Sequence, residues 1–152
     1  MVTVRQILQK KGSSVWSIHP DASLTEALQL MAWKDVGALL VTEDEKIVGI
    51  FSERDYARNF ALLDKSTKDI RVRDLMSTPV LTVRPGQSIG ACMTMMTERH
   101  VRHLPVVERE KVVGIISIGD VVKAIIEEQQ YVISQLSQPG ADRKNTLEDL
   151  DW

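Results

Sequence analysis

A single cysteine, Cys92, stands among the 152 residues, so no disulfide can close within the chain. A reducing, cytoplasmic setting is expected on that ground. Charge of one sign is missing too: 19 Lys and Arg face 21 Asp and Glu, for a net charge of -2. A sequence-blind nucleic-acid binder carries a strong basic excess, so no nucleic-acid partner is expected. No apolar run approaches the roughly 20 residues of a membrane span. The opening Met1-Val2-Thr3-Val4-Arg5 builds no leader-like apolar stretch, and no membrane partner is expected. The three histidines, His19, His100 and His103, show no metal-ligand spacing. Neither a phosphate-cradling glycine loop nor a nucleophile elbow is present. With nothing to activate a water or a nucleophile, no metal and no catalytic residue are expected, and the chain reads as a non-enzyme.

What the chain does have is an apolar content of 43%, enough for a core, and an internal repeat. A shift of 65 positions aligns residues 15–60 with 80–125 without a gap. It superposes Pro20 on Pro85, Ser23 on Ser88, Met31 on Met96, Val36 on Val101, Gly49 on Gly114, Ser52 on Ser117 and Asp55 on Asp120. The approach segments Val4-Arg5-Gln6-Ile7-Leu8 and Val72-Arg73-Asp74-Leu75-Met76 also echo each other, at a spacing three residues longer, which leaves Lys10 to Ser14 without a firm counterpart.

Each repeat reads strand, helix, strand, strand, helix. A short strand (Val15 to Ile18; Val80 to Val83) stops at Pro20 or Pro85. A helix follows, capped by Ser23 or Ser88, with Ser23 and Glu26 in a capping-box pattern. Leu24, Ala27, Leu28 and Met31, mirrored by Ile89, Cys92, Met93 and Met96, form its apolar face. Cys92 on that face reads as an inert thiol, and Met93, Met95 and Met96 as filler. Two apolar strands come next, Ala38-Leu39-Leu40-Val41 and Ile47-Val48-Gly49-Ile50-Phe51, joined by the polar turn Glu43-Asp44-Glu45. Leu104-Pro105-Val106-Val107 and Val112-Val113-Gly114-Ile115-Ile116 are their partners, and a second helix begins near Asp55 or Asp120. A unit of about 50 residues is marginal alone. The expected fold is therefore α+β: two pseudo-symmetric β-α-β-β-α repeats packed sheet to sheet. Residues 1–63 make the approach segment and first repeat, 64–72 a linker, 73–138 the second repeat with an extended helix, and 139–152 an acidic tail.

This pattern resembles the CBS domain, and the pair resembles a Bateman module, over about residues 4–130. The motifs that carry the resemblance are Gly49-Ile50-Phe51-Ser52-Glu53-Arg54-Asp55, Gly114-Ile115-Ile116-Ser117-Ile118-Gly119-Asp120, Val101-Arg102-His103-Leu104-Pro105-Val106-Val107 and Asp74-Leu75-Met76-Ser77-Thr78-Pro79-Val80. The chain looks most like small bacterial or organellar CBS-pair proteins without a catalytic domain. The resemblance implies a regulatory module whose clefts, between the repeats, bind an adenine nucleotide: AMP, ADP, ATP or NAD(H), with S-adenosylmethionine a secondary candidate. It assigns the ribose hydroxyls to Asp55 and Asp120 and places Ser52 and Ser117 near ribose or phosphate. Arg102 and His103 match basic residues that contact phosphate in the gamma subunits of AMP-activated kinase. The first repeat has Gly37 and Ala38 at those places.

The residue types suit this chemistry. A ribose offers two adjacent hydroxyl donors and a carboxylate two acceptor oxygens. Free N–H groups at a helix start attract phosphate, and Arg54 beside Asp55 adds a planar cation where the other repeat has Gly119. Trp16, whose equivalent in the other repeat is Leu81, offers a stacking surface for adenine. One expected cleft combines Ser13, Trp16, Val36, Gly37, Ser117, Gly119 and Asp120, with Arg102 or His103 nearby. The other combines Thr78, Val80, Leu81, Val101, Arg102, Ser52, Arg54 and Asp55. Simpler roles compete: Asp55 and Asp120 as dipole-stabilising carboxylates, Ser52 and Ser117 as caps, Trp16 as core, and Arg99, Arg102 and His103 as a solvated face.

Past the second repeat the apolar stripe continues, from Val121, Val122, Ile125 and Ile126 to Val132, Ile133 and Leu136, up to Pro139-Gly140. Such a stripe needs a covering surface. Related CBS pairs form flat homodimers through their helices, so the resemblance implies a second copy as the cover, in a homodimer to which helix 120–137 contributes. In the tail, Leu147, Leu150 and Trp152 are expected to act as anchors. From a different class, the alternative reading is a ligand-independent interaction scaffold that regulates an enzyme or transporter.

Overall fold

The repeat's punctuation is obeyed nearly residue for residue in the computed structural model, which describes residues 1–62 and 64–137. Pro139, Gly140 and the tail anchors Leu147, Leu150 and Trp152 lie outside the described residues. Ser23 caps helix α2 (Leu24–Lys34) by accepting the Glu26 N–H, the hydroxyl half of the expected box. Ser88 does the same for α5 (Ile89–Arg99) with Ala91. Both helices stop at a residue in the left-handed region, Asp35 (φ 52°) and His100 (φ 55°), which turns the chain into the next strand.

In residues 14–82, which form one compact unit, strand β1 (Ser17–Ile18) lies parallel to β2 (Ala38–Glu43). Antiparallel β3 (Lys46–Ser52) completes the sheet. Helix α3 (Glu53–Asn59) leaves β3 directly, and a short α4 (Val72–Leu75) returns to the unit. The core is Leu24, Ala27 and Met31 from α2, Leu39, Val41 and Phe51 from the sheet, and Ile70, Val72 and Leu75 from the returning segment.

The other compact unit is residues 1–13 together with the chain from Val83. It holds α1 (Val4–Lys11), α5, the antiparallel pair β4 (His103–Glu108) and β5 (Lys111–Ser117), and α6 (Ile118–Leu136). Val4, Ile7, Ile89, Cys92, Met96, Leu104, Val106, Ile116, Val121 and Ala124 are buried in it.

Two expectations change. The strand at Val80–Val83 is reduced to one parallel bridge, Val83 to Val106. In the first unit Leu40 gives its N–H to the Trp16 carbonyl, and that bond starts β1. Pro105 occupies the place of Leu40 in β4 and has no N–H to give. The first-repeat strand likewise shrinks from Val15–Ile18 to Ser17–Ile18.

The second change concerns the approach segments. Boundaries drawn along the sequence keep residues 1–13 with the first repeat; the structure exchanges them. The N–H groups of Val4 and Arg5 bond to the Gln87 and Pro85 carbonyls, both at 2.9 Å. Those of Val72 and Arg73 bond to Ala22 and Pro20, also at 2.9 Å. The docking sites are thus 65 residues apart and the docked helices 68, which is why the approach spacing differs. A glycine lies beneath each docked segment. A Cβ on Gly114 would stand 2.6 Å from Leu8 Cδ2, and one on Gly49 2.5 Å from Met76 Sδ.

Candidate functional site

The Gly-x-x-Ser-x-x-Asp segments each cross from a strand to a helix, and that crossing builds the same device twice. Ser52 ends β3 in an extended conformation and caps α3; Ser117 ends β5 and caps α6. Three residues on, the aspartate side chain turns back. Asp55 Oδ2 accepts the Ser52 N–H at 2.9 Å, while the Asp55 N–H donates to Ser52 Oγ at 3.2 Å. The Asp120 and Ser117 distances are 2.8 and 3.1 Å. Each carboxylate is thereby fixed at the positive end of its helix.

The third partner differs. Asp55 Oδ1 accepts the Ser77 hydroxyl at 2.7 Å, with Ser77 held in place by a two-bond backbone bridge to Ile50. Asp120 Oδ2 instead accepts Lys11 Nζ at 2.7 Å, and the same ammonium reaches the Ile115 carbonyl at 3.0 Å. Burial pushes the Asp120 carboxyl upward, the largest single influence. The Lys11 and Ser117 hydrogen bonds and the Lys11 charge together outweigh it and hold the group below its ordinary value.

Several expected site residues gather around these carboxylates. His103 lies cross-strand from Ser117, and the Arg102 carbonyl accepts the Ile118 N–H at 2.8 Å. The Gly37 carbonyl accepts the Glu53 N–H at 3.0 Å in the same way. Arg54 is half-buried on α3, Gly119 is exposed on the first turn of α6, and Ser13 is exposed after Gly12. Val36 and Val101 are half-buried, each bonding through its N–H to the helix before it. Val80 and Leu81 are half-buried and Thr78 is exposed, in a segment without a strand. Trp16 is not core: it is 37% exposed, and Lys34 Nζ lies 4.1 Å from its ring centroid.

Sequence reasoning missed Lys11, Ser77 and Lys34. Ser77 sits inside a quoted motif and was open to discovery there. Lys11 falls in the stretch where the repeat loses register.

Among the described residues, one group could hold a metal: the ligand atoms of His19, Asp21 and Glu43 lie within 4.8 Å of one another. They are already committed. Asp21 accepts Arg73 Nε at 2.8 Å and pairs with Arg71, and His19 Nδ1 accepts the Asp21 N–H. The Arg73 hydrogen bond is the main reason that the exposed Asp21 carboxyl sits below its ordinary value. No helix among the described residues is long and apolar enough to cross a membrane.

A family model of the CBS domain matches residues 2–61 and again 72–127. The chain is 32% identical over 145 residues to the mitochondrial CBS domain-containing protein CBSX3 of Arabidopsis thaliana, covering 89% of this chain and 70% of that one. It spans 39% of a Thermofilum pendens protein to which it is 33% identical. A solved CBS-domain structure from Burkholderia ambifaria is 45% identical, with a TM-score of 0.80 over 85% of this chain and 97% of that one. A CBS domain pair solved in complex with 5′-methylthioadenosine and S-adenosyl-L-methionine shares the fold, at 22% identity and a TM-score of 0.72, over 84% of this chain and 98% of that one.

Proposed function

The chain belongs to the CBS-domain family, and from that premise we propose that it is a regulatory, non-catalytic module that binds an adenine nucleotide, AMP, ADP, ATP or NAD(H), in the cytoplasm. The observation that carries the reading is the duplicated capping-box carboxylate. Asp55 and Asp120 are held at helix starts by their own Ser52 and Ser117, ready to accept the paired hydroxyls of a ribose. Backbone N–H groups at the same helix ends suit the phosphate, as do Arg54 on the first turn of α3 and Arg102 and His103, cross-strand from the start of α6. The adenosine-ligand complex of a fold relative supports the ligand class.

A ligand regulates only through different affinities for two states. The second state here is one of assembly. Helix α6 leaves Tyr131, Val132, Ile133 and Leu136 exposed, Ile133 at 55% and Leu136 at 82%, over two turns beyond its last buried residue, Ala124. A second copy of the chain covers this stripe in the proposed homodimer.

Calorimetric titration with AMP, ADP, ATP, NAD, NADH and S-adenosylmethionine tests the ligand. Saturable binding that Asp55→Ala or Asp120→Ala weakens is expected; no binding by any of them at millimolar concentration sinks the reading. The exposed α6 face also favours a second reading, a scaffold for another protein. A captured partner indifferent to nucleotide and to both alanine substitutions would establish that instead.

A further inference from the structure

Beside Asp120 the structure has a groove of about 140 Å³, lined by Ile7, Lys10 and Lys11 of α1 and by Asp120, Lys123, Ala124 and Glu127 of α6. Ile7, Lys10 and Lys11 stand at i, i+3 and i+4 on α1. Asp120, Lys123 and Glu127 stand at i, i+3 and i+7 on α6, so each helix presents one face. The groove is too small for a nucleotide, since pockets for whole ligands of that size start at roughly 300 Å³. It has room for a fragment, and its charges say which. Lys10 is balanced by Glu127 at 3.1 Å and Lys11 by Asp120 at 2.7 Å. Lys123 has no charged partner among the described residues. At the same end, the Ile118 N–H goes to Arg102 and the Asp120 N–H to Ser117. Gly119 itself carries no side chain, and the only atom near where its Cβ would stand is the Ser117 hydroxyl oxygen, at 3.6 Å.

We infer that this groove is a polyphosphate subsite, which makes the Asp120 half of the module select adenosine ligands that carry a phosphate chain over those that do not. The inference rests on the nucleotide reading for its adenosine part and on the three lysines for its phosphate part. A sugar held by Asp120 lies beside the ammonium that shares the same carboxylate. From there Lys123 and Lys10 continue along the groove: phosphate oxygens give Lys123 its charged partner and replace Glu127 as the partner of Lys10. Asp55 offers no such arrangement: its third partner is the neutral Ser77 hydroxyl, and Pro79 stands where the approach-helix register puts Lys11.

The test compares ATP, AMP, adenosine, S-adenosylmethionine and inorganic tripolyphosphate by calorimetry at fixed ionic strength. The variants are Lys123→Met, Lys11→Met and, as a charge control far from the groove in sequence, Lys68→Met. Lys123 makes no bond that folding depends on, so its variant keeps the test interpretable if Lys11→Met unfolds. Wild type is expected to prefer ATP to adenosine. Lys123→Met should lower the ATP-to-adenosine affinity ratio by about tenfold, the scale of one charge-assisted bond, and weaken tripolyphosphate similarly, while Lys68→Met keeps the ratio. Adenosine or S-adenosylmethionine binding as tightly as ATP, or a ratio unmoved by Lys123→Met and Lys11→Met, overturns the inference and leaves the nucleotide reading standing. Tripolyphosphate binding that needs Lys123, without binding of any adenosine compound, overturns the nucleotide reading and leaves the phosphate groove standing. If neither class binds, both fall.

Discussion

Ile7→Ala separates the exchanged architecture from one that follows the sequence. Ile7 lies on the helix that precedes the first repeat, yet it is buried in the unit that contains the second, at 7% exposure. Truncating such a side chain leaves a cavity and costs about 2–4 kcal/mol, which multiplies the opening equilibrium of the structure it supports by about thirtyfold to several hundredfold. Native-state hydrogen exchange reads that change amide by amide. The amides of Val106, Gly114 and Ile116, in β4 and β5, should lose protection by the larger factor. Those of Val41, Gly49 and Phe51, in β2 and β3, should lose less. The mirror variant, Leu75→Ala, should reverse the pattern, because Leu75 is part of the first unit's core. An equal or greater loss in β2 and β3 on Ile7→Ala refutes the exchange.

The two hairpins turn at Asp44-Glu45 and Arg109-Glu110, all four at positive φ between 51° and 66°. Glycine carries no Cβ penalty there, so Glu45→Gly with Glu110→Gly should raise stability by about 1 kcal/mol and the melting temperature by about 2–4 °C, and a fall in melting temperature would deny the strain. Asp120→Asn should cost about 1 kcal/mol near neutral pH, because a partly exposed ion pair and an ionised capping partner are lost together. The sign follows from the lowered carboxyl: its stabilisation is present above its unfolded value near 3.8 and is lost as pH falls through the folded value. Urea titrations should therefore show the gap between wild type and Asp120→Asn closing in acid; a gap independent of pH assigns the loss to packing. Ile133→Asp with Leu136→Asp should leave a monomer of 17.1 kDa by light scattering. A dimer that survives both charges uses another face.

Local chemistry made much of the fold legible. The helix faces of α2 and α5 followed from 3.6-residue spacing, and their starts from Ser23 and Ser88, because both signals act within a few residues. The Ser52–Asp55 and Ser117–Asp120 pairs were legible for the same reason. What failed to show was long-range. A proline inside an otherwise strand-like run, Pro105, removes the donor that a third strand needs, and a reading centred on Val80–Val83 does not see it. The docking of α1 depends on backbone bonds to residues 80 and 83 positions away. Lys11 meets Asp120 across 109 positions, and only after that docking is known.

The duplicated carboxylates then say something that the repeat alone does not. Duplication produced one capping box at two helix starts, and a ribose-binding role would be equal for both if the box were the whole device. It is not, because the third partner sets what a ligand must displace or join. At Asp55 a ribose hydroxyl would compete with Ser77, a donor of its own kind, for Oδ1. At Asp120 the resident donor is an ammonium bonded to Oδ2, and none of the three capping and ion-pair bonds engages Oδ1. A sugar would therefore add to Asp120 without expelling Lys11, whereas at Asp55 it would share Oδ1 with Ser77 or exchange for it. Near-equal exchange yields little net affinity, because a neutral hydroxyl bond is replaced by another. Addition beside a retained cation keeps that cation available to whatever anion the sugar carries. The Asp120 half is thus the one expected to bind first as ligand concentration rises, and Ser77→Ala is expected to narrow the difference by freeing Asp55. Calorimetry of that variant gives the answer: a second binding event strengthened relative to the first supports the asymmetry, and an unchanged pair of affinities refutes it.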